Sequence, residues 1–421
     1  TNKQLALTGA RGEVVAFQVI LRAEGGELDN VSVDCGDFKS PQHTIPAKHT
    51  AFFRELYVRL KPDPKYMARR WYTEAEYPDA LVPFKDPYDS AARPVGAPFK
   101  LSTQKNQPVW ADVQIPRDAP PGRYTARLTV NAGGARVAEA LVQLTVWDFE
   151  LPESWKLNAV MDLYLTNLTQ GEGLPGGSGF TEEKSAFLKR YDQMAFAHGF
   201  YNMYWWPRPE YSFDAQGSLA KIDWTDYDKY FGDILSGKLL GVVPPCWKMP
   251  LPEFPNFTKK SWKDEVTDAS LTSYREYSQE MAEHFEKNGW KIPLLYVYTI
   301  DEPGNLYKGS AESILRIADA VRQGSKDRFK FFIPHGETVG VGHVNFWAIY
   351  PSDYKPAKMA ARQKAGDVIW FYQGCHEWQG LPVVYIPDYA LAMRLWAWIA
   401  WKYDADGMFH WASTYWGSEP Y

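Results

Sequence analysis

The sequence predicts a two-domain protein, an N-terminal β-sandwich over residues 1–150 followed by a (β/α)8 barrel of the TIM type over 155–421. Three observations lead there. Short alternating strands with Gly and Pro turns fill the first third of the chain. From Leu157 onward, apolar runs alternate with segments of helical period, and eight such runs over about 260 residues match a barrel in number and size. Between the two patterns, Leu151-Pro152-Glu153-Ser154 reads as a linker, because Pro cannot continue the last strand.

In the first domain Glu13 to Leu21 and Pro108 to Ile115 read as strands, and Tyr124 to Val130 and Ala140 to Val146 close the set. Ala132-Gly133-Gly134 signals a hairpin between the last two, and Pro120-Pro121-Gly122 a turn before Tyr124. The segment Lys61 to Leu101 is rich in Pro, Tyr, Asp and Arg with little periodicity. It reads as a long irregular segment lying against the second domain, since loops of that length are usually functional or packed on a neighbour.

In the second domain the expected strands are 158–165, 200–206, 239–244, 293–300, 329–335, 344–349, 367–372 and 407–412. The expected helices are 181–197, 225–236, 271–288, 310–323, 354–365 and 387–403. Leu271, Tyr274, Tyr277, Met281 and Phe285 illustrate the helical spacing, and Asn288-Gly289 stops that helix. The fifth connection, 336–343, is too short and Gly-rich for a helix. Long loops at 166–180, 207–224 and 245–269 follow the first three strands, on the face where a barrel builds its pocket.

Composition narrows the function. The formal charge is −5 and no Lys/Arg run is present, which disfavours nucleic acid and anionic membrane as partners. No apolar run approaches the roughly 20 residues of a membrane span. Three well-separated cysteines, Cys35, Cys246 and Cys375, imply no disulfide framework. The chain opens at Thr1 without Met, so it reads as a processed or trimmed product of a secreted, periplasmic or cell-surface protein. Aromatic residues make up 16%, with 18 Trp and 26 Tyr. Aromatic faces stack on the C–H faces of sugars while Tyr and Trp donate hydrogen bonds, so this excess favours a glycan partner; large α/β cores also use many aromatics. The chain is expected to act as a monomer or dimer.

The chemistry centres on Leu294 to Asn305, a continuous apolar run that ends in Asp301-Glu302-Pro303-Gly304. Such a run reads as a strand buried on both faces, with its acids at the C-terminal end. Neighbouring side chains of a regular strand point opposite ways, so the pair can serve one site only where Pro303-Gly304 breaks the strand. Glycosidases usually hold two carboxyls about 5 Å apart (retaining) or about 6.5–9.5 Å apart (inverting). Adjacent acids suit a scheme in which the substrate supplies its own nucleophile. One acid orients a 2-acetamido group, whose oxygen attacks the anomeric carbon to form an oxazolinium. The other protonates the leaving oxygen and then activates water. Asp162, Glu337, Asp353 and Glu377 also stand in or near strands, and any of them could instead be a separate nucleophile.

Candidate sugar contacts at strand ends are Asn202, Tyr204, Trp206, His335, Trp347, Tyr372 and Trp411. Barrel packing explains any single one of the aromatics as well. No HxxxH or CxxC spacing, P-loop, GxGxxG or GxSxG is present, so neither a metal nor a cofactor is expected.

Taken together, these stretches resemble glycoside hydrolase family 123, β-N-acetylgalactosaminidases with an N-terminal β-sandwich and a (β/α)8 barrel. The resemblance lies in GEVVAFQVIL (12–21), YPDALVPF (77–84) and QPVWADVQIPRDAPPGRYTARLTV (107–130) of the first domain. In the second it lies in YVYTIDEPGN (296–305), VIWFYQGC (368–375) and RLWAWIAWKYDADGMFHWASTYW (394–416). It implies that Asp301 orients the acetamide and Glu302 is the general acid/base of an exo-acting, retaining enzyme. That enzyme would release terminal β-linked GalNAc without a cofactor. Two positions depart from the family pattern: His410 stands where Arg is expected, and Ser413-Thr414 where Asn is expected. Both bear on which sugar fits. Family 20 hexosaminidases share an adjacent Asp-Glu pair, so GlcNAc stays open, as does a non-catalytic glycan-binding protein.

Overall fold

The structure is a computed structural model. It describes residues 4–60, 75–88, 94–153, 155–171, 173–174, 181–205, 207–251, 266–298, 311–334, 342–374, 384 and 390–414, without the side chains of 166, 311 and 390. It divides into two compact units, one ending at Trp155 and the other beginning at Lys156.

The first unit is two sheets around one core. One sheet orders β1 (Gln4–Arg11), β11 (Ala135–Glu150), β10 (Gly122–Ala132), β3 (Leu28–Cys35) and β8 (Phe99–Leu101), with the short β4 (Phe38–Lys39) and β5 (Thr44–Ile45) attached through β10. The other orders β2 (Val14–Arg22), β9 (Asn106–Gln114), β6 (Thr50–Leu60) and β7 (Ala75–Pro83). Alternate residues face inward, as a strand's period of two requires. Val15 and Phe17 of β2 and Val109, Ala111 and Val113 of β9 thus meet Val31 and Val33 of β3 and Tyr124, Ala126 and Leu128 of β10. The β10–β11 hairpin turns on Gly133-Gly134, with φ of 55° and 82°, the left-handed pair that a two-residue turn between twisted strands demands.

The segment expected to be irregular contains two strands instead. β7 pairs with β6 from Phe53↔Pro83 to Leu60↔Ala75, and β8 pairs with β3. Its apolar residues are interrupted by Pro78 and Pro83, which hides the alternation; β7 lies at the edge of its sheet, where Pro is tolerated. Residues 61–74 and 89–93 of that segment lie outside the described residues.

The second unit is built on an eight-stranded, all-parallel, barrel-like sheet. Its strands are β12 (Asn158–Asp162), β13 (Tyr201–Met203), β16 (Cys246–Met249), β17 (Leu294–Tyr298), β18 (Phe329–Pro334), β19 (Phe346–Ile349), β20 (Val368–Gln373) and β21 (Gly407–His410). Neighbouring strands follow β13-β12-β21-β20-β19-β18-β17-β16. The first strand therefore pairs with both the second and the last, and the path ends at β13 and β16. Helices α1 (Leu165–Gly171), α2 (Glu182–Ala197), α3 (Thr225–Leu235), α4 (Asp268–Lys287), α5 (Ala311–Ser325), α6 (Pro356–Lys364) and α7 (Ala390–Lys402) connect the strands. Thr181 and Thr267 cap α2 and α4 by accepting from the backbone N–H groups of Lys184 and Ser270 at 3.2 and 3.1 Å. Gly289, at φ 68°, carries the chain off α4.

Three departures from the expected pattern matter for the site. The third strand is Cys246–Met249, not 239–244. Val243-Pro244-Pro245 cannot donate to a ladder at its two prolines, and Leu239 N–H bonds back to Asp233 of α3 at 2.8 Å, so this stretch turns. The loop after β12 contains α1, and the loop after β13 contains a hairpin of β14 (Glu210–Phe213) and β15 (Leu219–Asp223). No described helix is long and apolar enough to cross a membrane.

Candidate active site

Because the sheet is all parallel, all eight strands end on one face, and alternate residues separate an inner from an outer layer. The outer layer packs on the helices: Trp247, Leu295, Val297, Phe329, Phe331 and Trp347 cluster with residues of α3, α4 and α5. The inner layer is a second cluster of Val160, Met203, Cys246, Tyr296, Tyr298, Phe332, Phe346, Trp370, Tyr372 and Phe409. Phe332 sits at its centre, with ring centroids 5.5 Å from Tyr296, 4.8 Å from Tyr298 and Phe346 and 5.5 Å from Phe409. A filled aromatic plug therefore closes the interior and leaves the C-terminal rim above it for chemistry.

Polar groups gather at that rim. Asp162, at the end of β12 and 1% exposed, accepts the Trp205 indole N–H at both carboxylate oxygens, at 3.0 and 3.1 Å. The Lys248 ammonium lies 3.6 Å above the Trp205 ring and donates to the Tyr204 carbonyl at 3.1 Å. Burial lowers the Lys248 pKa to about 7; Asp162 opposes that shift and Arg208 adds to it. Tyr298, the last described residue of β17, packs on Trp205 at 5.0 Å. On the opposite arc, Tyr350 and Tyr372 stand 4.5 Å apart, and Tyr372 stacks on Phe409 at 5.2 Å.

The segment after β21 is tied to β12. Ser413 donates from its N–H and its hydroxyl to the Asp162 carbonyl at 3.0 and 3.1 Å. Tyr164 N–H donates to the Thr414 hydroxyl at 2.8 Å, and the Trp411 indole N–H to the Tyr164 hydroxyl at 3.0 Å. Ser413 and Thr414, which stand where Asn was expected, thus stitch the last strand to the first. His410, in place of the expected Arg, faces the outer layer, edge-on to Trp396 of α7 at 6.4 Å. Burial lowers its pKa to about 4, so it is neutral there. In this geometry His410 does not reach the interior, contrary to the expectation that it bears on which sugar fits.

The sequence-predicted residues divide by layer. Tyr372 and Trp411 belong to the interior and its rim. Asn202, Tyr204 and Trp347 belong to the outer layer instead. Asn202 Nδ2 and the Tyr204 hydroxyl both donate to Asp192 Oδ1 of α2, and the Trp347 indole N–H donates to Asp367 at 3.2 Å. Along β13 and just beyond it the even-numbered side chains point to the helices, and Trp205, on the odd face, points inward. Trp206, His335, Asp301 and Glu302 lie outside the described residues. Trp205 and Lys248 are the rim residues that sequence reasoning passed over as site candidates; Asp162, expected as one of four alternative nucleophiles, joins them there. A Lys inside the short run Cys-Trp-Lys-Met was the available signal, obscured because the third strand was expected earlier.

Asp192 is a buried carboxyl whose Oδ2 has no hydrogen-bond partner among the described residues. Burial pushes its pKa from 3.8 up to about 7, against the hydrogen bonds from Tyr204 and Asn202. Between those two values the folded chain holds a proton that the unfolded chain releases. Stability contributed here is complete below the unfolded value and is lost as pH rises through the folded one. The slope is at most about 1.4 kcal/mol per pH unit. Asp192→Asn removes this dependence. Thermal melts from about pH 4.5 to 7.5 are expected to show the wild type losing stability relative to the variant; parallel curves would contradict the assignment.

Comparison with known proteins places the chain. The sequence model described as the glycoside hydrolase 123 N-terminal domain matches residues 1–132, and that of the glycoside hydrolase 123 catalytic domain matches 258–421. The chain belongs to glycoside hydrolase family 123. A solved family 123 glycoside hydrolase from Clostridium perfringens, studied for glycolipid glycan hydrolysis, is 12% identical with a TM-score of 0.71. That match covers 98% of this chain and 74% of that one, and it shows a shared fold. A Lactobacillus rhamnosus β-glucuronidase matches at 10% identity and a TM-score of 0.35, over 96% of this chain and 82% of that one. A family 39 glycoside hydrolase from Bacteroides cellulosilyticus matches at 10% identity and 0.31, over 98% and 74%. The last two likenesses are too slight to bear on the fold. No curated protein sequence matches the chain. Asp162, Trp205 and Lys248 precede the matched catalytic span, whereas Tyr298, Tyr372 and Trp411 fall within it.

Proposed function

We propose that this family 123 glycoside hydrolase releases terminal β-linked N-acetylgalactosamine, exo-acting and with retention, through an oxazolinium formed by the substrate itself. The observation that carries this reading is the adjacent pair Asp301-Glu302. It follows Tyr298, the inward-facing end of β17, by three and four residues in the sequence. Active sites of parallel barrels are built on that face of the sheet.

In the first step the acetamide oxygen bonds to the anomeric carbon as the glycosidic bond breaks. Asp301 orients the acetamide, and its carboxylate offsets the positive charge that develops on that group. Glu302 gives its proton to the departing oxygen. In the second step water attacks the anomeric carbon from the face the leaving group vacated. Glu302 takes the proton from that water, and the C–O bond of the oxazolinium ring opens to restore the acetamide. Tyr372 and Trp411 supply apolar ring surface at the rim for the sugar's C–H face.

A stable thiazoline analogue of the oxazolinium of N-acetylgalactosamine is expected to inhibit competitively, because it resembles an intermediate the site is built to hold. Absence of inhibition at millimolar concentration would contradict the substrate-assisted route. The interior position of the Asp162 carboxyl at the end of β12 favours a second reading, a glycosidase with a separate nucleophile and no need of a 2-acetamido group.

A further inference from the structure

The eight-stranded path ends at β13 and β16, and no ladder joins these two strands among the described residues. They are held instead by side chains. Lys248 of β16 reaches across to donate to the Tyr204 carbonyl just beyond β13, and the Tyr204 and Trp247 rings meet at 6.2 Å. The same ammonium covers the Trp205 ring, whose N–H is held by Asp162 of β12. One chain of contacts, Lys248 to Trp205 to Asp162, therefore spans three successive strands, and Trp205 presses on Tyr298 at the end of the fourth.

We propose that Lys248 is a positioning residue: it clasps the parallel sheet where its ladder is interrupted and, through Trp205, fixes Tyr298, which precedes the Asp301-Glu302 pair in the sequence by three and four residues. This rests on the reading of Asp301 and Glu302 given above. A backbone ladder would close the gap between β13 and β16 but would fix no side chain. A cation over an indole closes it and sets the ring orientation as well.

Among the described residues, the titratable groups of the interior near Lys248 include Asp162 on β12, Tyr201 on β13, Arg208 beyond β13, Cys246 on its own strand and Tyr296 and Tyr298 on β17. Burial raises the pKa of Tyr296 and of the Cys246 thiol strongly, which keeps both neutral. Asp162 is then the counter-charge and Arg208 the competing cation. Loss of the Lys248 proton near neutrality converts the clasp from an ion over the ring to a neutral amine.

Lys248→Met keeps the length and removes the charge. Its kcat is expected to fall about 100-fold with KM nearly unchanged, the loss a displaced reacting group produces. Lys248→Arg is expected to recover about ten-fold of that loss, since a guanidinium also covers an indole. Independently of activity, near-ultraviolet circular dichroism, recorded for every form in an Asp192→Asn background so that the carboxyl beside Tyr204 does not titrate, is expected to show a tryptophan transition with pH near neutrality. That transition should be absent from Lys248→Met and from Trp205→Phe. A Lys248→Met enzyme with wild-type kcat, or a transition that persists in either variant, would overturn the proposal. If Lys248→Met fails to fold, the wild type and Trp205→Phe decide by the spectral transition alone. If no glycoside is hydrolysed by any form, the functional reading fails, while the spectral transition still tests the clasp.

Discussion

Glu302→Gln is expected to lower kcat by about 10³-fold on N-acetylgalactosaminides with poor leaving groups, and far less on those with good ones. The reason is where the proton is needed. An alkoxide or sugar leaving group departs only as its oxygen is protonated, and the amide of Gln cannot supply that proton. A nitrophenolate departs unaided, so the first step survives, and only the activation of water in the second is slowed. A plot of log kcat against leaving-group pKa should therefore be steep for the variant and shallow for the wild type. Equal losses across the series would remove Glu302 from the acid role.

Asp301→Asn is expected to cost about 10² to 10³-fold whatever the leaving group. In the proposed mechanism its carboxylate offsets a charge that exists only once the acetamide oxygen begins to bond to carbon, so the loss falls on kcat. The neutral amide hydrogen-bonds the acetamide less selectively and offers no compensating negative charge. Departure of the leaving group requires formation of the ring, so a better leaving group does not bypass the defect. The two variants thus separate the roles of adjacent residues by the slope of one plot: steep for Glu302→Gln and unchanged for Asp301→Asn. An Asp301→Asn enzyme that hydrolyses nitrophenyl glycosides at the wild-type rate would contradict the acetamide role.

Much of the fold was legible from period and punctuation. The Gly133-Gly134 hairpin, the helix stop at Asn288-Gly289 and the apolar run from Leu294 to Tyr298 all lie where the residues indicated. The facing of individual side chains was less legible. A strand buried on both sides carries no polar–apolar alternation, so Tyr204-Trp205-Trp206 gave no sign of which aromatic turned inward. The structure turns Trp205 in and gives Tyr204 to Asp192. Trp347 had the same ambiguity, and its indole N–H is taken by Asp367. The third strand was hidden for a different reason. Leu239 to Val243 is more apolar than Cys246 to Met249, but Pro244 and Pro245 deny it a ladder, so tertiary pairing overrode local composition. That displacement put Lys248 in an expected loop, although it is the interior cation of the rim.

The central claim is that the substrate's own acetamido group is the nucleophile. It is tested most directly by comparing wild-type hydrolysis of aryl β-N-acetylgalactosaminide, aryl β-N-acetylglucosaminide and aryl β-galactoside under one set of conditions. The account predicts cleavage of the N-acetylgalactosaminide, slower or no cleavage of its C4 epimer, and no cleavage of the galactoside, which has no acetamide to attack. Hydrolysis of the plain galactoside at a comparable rate would contradict it.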